Sequence, residues 1–312
     1  MTKIFVISDF NAELVSRFLI ADRAAPECGA ITAPYGQAFQ SLAGDPPGGK
    51  ETVAFVWTRP EGVVPGYLEV IEGGKPDIER LLAGVDAFAT AIKNLAKKSR
   101  LVMVASWARS QAARGLGMLD WSADGESYAL ARMNVRLAEA LSTDRGIFVL
   151  DAQRWLDVAR PPRDSKFWYS MKTPFTEGVC KAAALDVKAV LRGASGLARK
   201  LVIVDLDDTM WGGTVGDDGW QQLRLGGHDP IGEAYADFQH ALKTLARRGI
   251  AIAVVSKNDE AVALDAIDHH PEMVLRRRDL AGWRINWGDK AQNVIDIARD
   301  LNLGLRSVVF ID

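Results

Sequence analysis

The chain has 312 residues, 48% of them hydrophobic and 25% charged, which is the make-up of a globular protein long enough for two domains. A formal net charge of −2 argues against a nucleic-acid binder whose affinity rests on phosphate neutralisation. No apolar run is long enough to span a bilayer, and the amino-terminal apolar stretch is too short for a signal peptide. Cys28 and Cys180 stand alone, with no Cys-x-x-Cys pair and no metal-ligand spacing, so a reducing cytoplasm is the expected setting. The four histidines, two of them adjacent at His269-His270, argue against a zinc site.

In chain order, short apolar runs predict strands over residues 3–8, 52–58, 100–106 and 146–151, and helical spacing predicts helices over 11–21, 75–99 and 128–142. That alternation implies a doubly wound parallel sheet. Residues 32–50 read as a loop-rich excursion ending in Asp45-Pro-Pro-Gly-Gly49, and Arg192-Gly-Ala-Ser-Gly-Leu197 reads as a linker. The expected division is therefore 1–195 and 200–312.

The second half repeats the logic. Residues 201–204 predict a strand, 210–225 a glycine-rich hairpin flap, and 230–248 a helix stopped by Gly249. A strand at 250–255, a helix at 259–268, a short strand at 273–276, a helix at 289–301 and a last strand at 307–311 complete it. The run Leu201-Val-Ile-Val204 has the all-apolar character of a strand buried on both faces. It leads directly into Asp205, with Asp207 two residues on. The carboxyl end of such a strand is where open α/β sheets bind ligands. There, one acid can attack phosphorus or hold a cation while the other moves a proton.

Asp205-Leu-Asp-Asp-Thr209 resembles the Asp-x-Asp-x-Thr signature of the haloacid dehalogenase-like (HAD) superfamily, which is mostly magnesium-dependent phosphatases and phosphotransferases. Met210-Trp-Gly-Gly-Thr-Val-Gly-Asp-Asp-Gly219, Ser256-Lys-Asn-Asp259, Asn286-Trp-Gly-Asp-Lys290 and Val308-Val-Phe-Ile-Asp312 resemble its subfamily IIIC, the FkbH-like proteins. The resemblance covers residues 200–312. It implies Asp205 as nucleophile, Asp207 as acid and base, and Thr209 holding the loop. Ser256, Lys257, Asn258, Lys290 and Trp211 would face phosphate or substrate. Mg²⁺ would lie on the Asp205 side chain, the Asp207 carbonyl and Asp312. Ser256, Asn258 or Asp259 can equally cap the following helix. The FkbH-like pattern continues from its first acid into Asp-Asn-Pro, whereas this sequence stops at Asp312, so a cut chain is the expectation.

The amino-terminal half resembles the SGNH/GDSL-hydrolase-like domain that often precedes an FkbH-like one. Ile7-Ser-Asp-Phe-Asn11 occupies the place of Gly-Asp-Ser, with Phe10 where the nucleophilic serine belongs and Ser8 or Ser106 as substitutes. Asp164-Ser-Lys-Phe-Trp-Tyr-Ser-Met-Lys-Thr-Pro-Phe175 covers the expected Asp-x-x-His region without a histidine. All four histidines follow residue 220, so this half cannot supply a Ser–His pair and reads as a non-hydrolytic binding domain. Phe167-Trp-Tyr169 is expected to cover apolar core, with the lining of a groove as the alternative. The expected architecture is α/β: two Rossmann-like three-layer α/β/α domains, SGNH-like then HAD-like, the latter short at its end.

By resemblance, the function would be transfer of a glyceryl unit from an acyl phosphate such as 1,3-bisphosphoglycerate to an acyl carrier protein for polyketide-type secondary metabolism. The alternatives are a phosphatase acting on a small phosphorylated metabolite, and a non-catalytic docking module. Arg276-Arg-Arg278, the only dense basic cluster, suits a substrate phosphate, the acidic face of a carrier or a solvated surface.

Overall fold

Apolar residues in short runs, each separated from the next by a helix, build two parallel sheets. A computed structural model describes residues 1–115 and 117–312, except for the side chain of Asp218. It divides into two compact units, Met1–Ser195 and Gly196–Asp312.

In the first unit, β1 (Thr2–Ile7), β2 (Cys28–Thr32), β3 (Val53–Val56), β4 (Leu101–Ala105) and β5 (Ile147–Leu150) form one parallel sheet, ordered β2-β1-β3-β4-β5. Alternation within β1 explains its burial on both faces. Ile4 and Val6 enter one apolar cluster with Trp57 and Trp155, and Phe5 and Ile7 enter the other with Phe88 and Ile92. Helix Ile78–Lys97, capped by the Asp77 side chain accepting from Arg80 N–H, covers the second face. Helix Glu177–Ala194 covers the first. The edge strand β5 keeps Phe148 and Val149 exposed.

The second unit has β6 (Leu201–Val204), β7 (Ala251–Ser256), β8 (Gly282–Ile285) and β9 (Val308–Ile311), all parallel and ordered β8-β7-β6-β9. In β6, Val202 and Val204 point into the cluster with Met210 and Trp211, while Leu201 and Ile203 point towards Ile297. Asp229, Asp259 and Asp289 cap the three long helices by accepting backbone N–H bonds. Each such cap is worth about 1 kcal/mol.

Two local expectations fail and two strands were not expected. Residues 28–32 are a strand, because Gly29 and Ala30 dilute the apolar pattern without preventing edge pairing to β1. Residues 273–276 are not a strand: the buried Gln239 side chain accepts from Val274 N–H at 2.9 Å and Leu275 N–H at 3.1 Å, leaving no ladder to form. The strand beside β7 is β8, whose Gly and Arg disguise it. The 210–225 flap is no hairpin. One antiparallel bridge, Gly212 to Arg224, closes it around a helical turn at Val215–Asp218, because Val215 and Leu223 turn into the core.

Candidate active site

All four strands of the second unit deliver residues to the same sheet edge. Asp205 follows β6, Ser256 ends β7, Asn286 follows β8 and Asp312 follows β9. Lys290 opens helix Lys290–Asp300, whose cap is Asp289. Asp259 caps helix Glu260–His269 by accepting from Ala261 and Val262 N–H, so neither Ser256 nor Asn258 is needed there.

The centre is an ionic cluster. Lys290 Nζ donates to Asp205 Oδ2 at 2.7 Å and to both Asp312 oxygens at 3.0 Å. Asp205 is buried, and its Oδ1 has no hydrogen-bond partner in the described structure. Burial acts to raise its carboxyl pKa. The Lys290 ammonium, the neighbouring Ser256 hydroxyl and the Leu206 N–H outweigh that and hold it below the ordinary value. Burial likewise acts to lower the Lys290 pKa, but Asp205 and Asp312 outweigh it and raise it. Asp205 is therefore an anion at neutral pH, with Oδ2 held by Lys290 and no hydrogen bond of ordinary geometry on Oδ1.

Asp207 is held differently. Its Oδ1 accepts from Trp211 Nε1 at 2.9 Å and from Val215 N–H at 3.1 Å, and its Oδ2 accepts from Asn258 Nδ2 at 2.9 Å. Asn258 Nδ2 also reaches Ser256 Oγ at 3.2 Å. Between the acids, Asp208 takes a left-handed φ of 51°, and its Oδ1 accepts from Gly213 N–H at 2.9 Å, which reverses the chain into the flap.

The structure thus gathers Asp205, Asp207, Ser256, Asn258, Lys290, Asp312 and Trp211. Trp211 is no pocket wall: it is 0% exposed, and its indole N–H serves Asp207, so it positions that acid instead of meeting a substrate. Lys257 is exposed and forms no ion pair among the described residues. The Thr209 hydroxyl makes no hydrogen bond among them either; the loop is held by Thr209 and Met210 N–H donating to Leu206 O. Trp287, beside Asn286, is 76% exposed. The Arg276 guanidinium donates to Ile267 O and Asp268 O, so it closes the end of helix Glu260–His269. Sequence reading missed the Val215 N–H and the Asn286–Asn293 amide pair that braces the loop before Lys290, with Asn293 Nδ2 donating to Asn286 Oδ1 at 3.0 Å.

No family model matches the sequence, and no curated protein matches it. Among solved structures, the chain is similar to the N-terminal part of the protein BF1531 from Bacteroides fragilis, which contains a phosphatase domain and is complexed with Mg. The TM-score is 0.84 at 24% identity, over all of this chain and 83% of that one. The two share a fold.

Among the described residues, no group of three or more His, Cys, Asp and Glu is arranged to hold a metal. A hard cation that keeps most of its waters asks for less. The carboxylate oxygen Asp205 Oδ1, which lacks a hydrogen-bond partner, is of the hard-donor kind that Mg²⁺ accepts. Asp312 already has both oxygens on Lys290.

In the first unit, Phe10, Ser8 and Ser106 serve the fold. Phe10 is buried against Trp57 and Phe175. Ser8 Oγ accepts from Phe10 N–H, and Ser106 Oγ accepts from Ala152 N–H. No residue of helix Ser165–Met171 is fully buried: Trp168 packs on the core from its edge, while Trp168 and the exposed Tyr169 line a cavity.

Proposed function

We propose that residues 200–312 form a Mg²⁺-dependent phosphoryl-processing enzyme of the FkbH-like type. It would remove phosphate from a bisphosphorylated glyceryl compound resembling 1,3-bisphosphoglycerate and pass the glyceryl unit to an acyl carrier protein. The observation that carries the reading is the Asp205 carboxylate: ionised, anchored through Oδ2, and buried with an unpartnered Oδ1 at a strand tip. An anion held in this way is a nucleophile whose position is set before substrate arrives.

Asp205 attacks the ester phosphorus, and Asp207 gives a proton to the leaving alkoxide after Oδ2 is released from Asn258. Asp207 then takes a proton from the water that cleaves the aspartyl-phosphate. Lys290 and the Ser256 hydroxyl balance charge on the phosphoryl oxygens. Mg²⁺, held by Asp205 and the Asp207 carbonyl, would neutralise the repulsion between carboxylate and phosphate. The acyl phosphate end is consumed when a carrier thiolate attacks the acyl carbon and inorganic phosphate leaves. An enzyme-bound thioester is not part of this scheme, since both cysteines are buried in the other unit with raised pKa values.

Those inert thiols also favour a second reading, a phosphatase without acyl transfer. The experiment combines the protein, Mg²⁺, 1,3-bisphosphoglycerate and a holo-carrier protein, and follows phosphate release and carrier mass. Phosphate release with an acylated carrier, both abolished by Asp205→Asn, is expected. Release with an unmodified carrier selects the phosphatase, and no Mg²⁺-dependent release overturns both.

A further inference from the structure

The strand order of the first unit, β2-β1-β3-β4-β5, reverses between β1 and β3, and open parallel sheets bind ligands in the crevice at such a switch point. The residues leaving these strands are charged. Asp9, after β1, accepts from Arg59 N–H at 2.8 Å and Arg59 Nε at 2.9 Å. Gly62 makes room for that carboxylate, since a Cβ there would collide with it. The Arg59 guanidinium lies 4.5 Å from the Trp168 ring centre and donates from Nη1 to Glu61 Oε1 at 3.3 Å. Ser110, after β4, donates to the same oxygen at 2.7 Å.

Both donors thus use one oxygen of Glu61. The side chain is only 9% exposed, and its other oxygen, Oε2, has no partner in the described structure. The buried Gln111 Oε1 is also unpartnered in the described structure. Glu61, Ser110, Gln111, Arg114 and Trp168 line a cavity of about 160 Å³. At ~30 Å³ per water-sized group, that holds a molecule of about five such groups. Two of its lining residues thus carry buried acceptor oxygens without donors, and the Arg163 guanidinium also acts on Glu61 through its charge. Arg114, also lining it, is exposed and has no carboxylate partner among the described residues.

We propose that this cavity binds a small zwitterion, an α-amino acid in chemical class. The ammonium sits on Glu61 Oε2 and Gln111 Oε1, and the carboxylate on Arg114. An ammonium on a buried carboxylate makes a charge-assisted bond that water cannot match, and a guanidinium takes a carboxylate in bidentate fashion. The site lies wholly in the first unit and does not depend on phosphoryl chemistry in the second.

The test is calorimetric titration of the full chain with glycine, alanine and serine, against ethylamine, propionate and glycerol. At least one amino acid binds, and the single-ended compounds bind at least tenfold more weakly. Glu61→Gln and the surface change Arg114→Ala each weaken binding at least tenfold while the circular dichroism spectrum stays that of the parent. Asp205→Asn leaves it unchanged. The assignment is overturned if no amino acid saturates at millimolar concentration, if glycerol or ethylamine binds equally well, if Arg114→Ala binds like the parent, or if Asp205→Asn removes binding.

Discussion

Replacing Lys290 with Met keeps an unbranched apolar stem, one atom shorter, and removes the cation that bridges Asp205 and Asp312. The Asp205 side chain is 10% exposed, Lys290 25% and Asp312 46%. Breaking a fully buried pair costs about 3–5 kcal/mol, and a surface pair is worth at most about 1 kcal/mol. With one buried acid and a partly wet cation, about 2 kcal/mol is expected at neutral pH. The pH dependence follows from the direction of each shift. The Asp205 carboxyl lies below its unfolded value, so its stabilisation is complete above roughly pH 4 and drains as pH falls towards the folded value. Lys290 is raised, so its contribution persists until pH climbs past about 10. Urea denaturation without divalent cations should therefore show a gap between parent and Lys290→Met that is full at pH 6 and narrows below pH ~4. Loss of the ammonium should also slow Mg²⁺-dependent hydrolysis of p-nitrophenyl phosphate by about 10²–10³-fold, as for other charge-stabilising groups. A stability gap that is constant between pH 6 and pH ~3, or a rate loss under about threefold, would refute the role given to Lys290.

Asn258→Ala removes the donor on Asp207 Oδ2 but not those on Oδ1, so a loss of about 1.5 kcal/mol in urea denaturation is expected. An unchanged midpoint would mean that water replaces the amide. Lys188 is 1% exposed and donates to Asp22 O at 3.2 Å, Ala24 O at 2.5 Å and Pro26 O at 2.7 Å, tying residues 22–26 to helix Glu177–Ala194. Lys188→Met strands three carbonyls and should cost about 3 kcal/mol or more; under about 1 kcal/mol would contradict that tie. Burial pushes the Cys180 thiol up to about 12 and raises Cys28, so an aromatic disulfide reagent at pH ~8 should label neither cysteine until guanidinium unfolds the chain. Labelling of the native protein within minutes would contradict the burial of both.

The second site-bearing edge was legible because its residues follow strands whose apolar runs are complete. Leu201–Val204 fills both faces of the sheet, so the next residue has to emerge at the edge, and that residue is Asp205. Lys290 was legible for a related reason: a lysine at a helix start is unfavourable unless an anion lies nearby, and two do. Trp211 was misread, since an aromatic near an acid looks the same in sequence whether it faces a substrate or the core. Its indole N–H is what lets it be buried and still serve Asp207. The Asp9–Arg59–Glu61–Ser110 network was hidden because its members are 50 and 49 residues apart and belong to no periodic pattern. Only strand order brings them together.

The two carboxylates of the candidate active site are restrained in opposite ways, and that contrast fits a division of labour. Asp205 is fixed through one oxygen by a cation, leaving the other buried without a hydrogen-bond partner. Asp207 has both oxygens engaged by neutral donors from two segments: Trp211 and Val215 belong to the flap, and Asn258 to the loop after β7. A nucleophile gains from immobility, whereas an acid–base group has to exchange partners twice in one cycle. Of the three donors, the Asn258 amide is the one easily surrendered. Trp211 is locked in the core and the Val215 N–H is fixed by the backbone, but Asn258 has a second acceptor in Ser256 Oγ. A phosphoryl group arriving at Ser256 would compete for that amide and so loosen Asp207 on the side where a proton is needed.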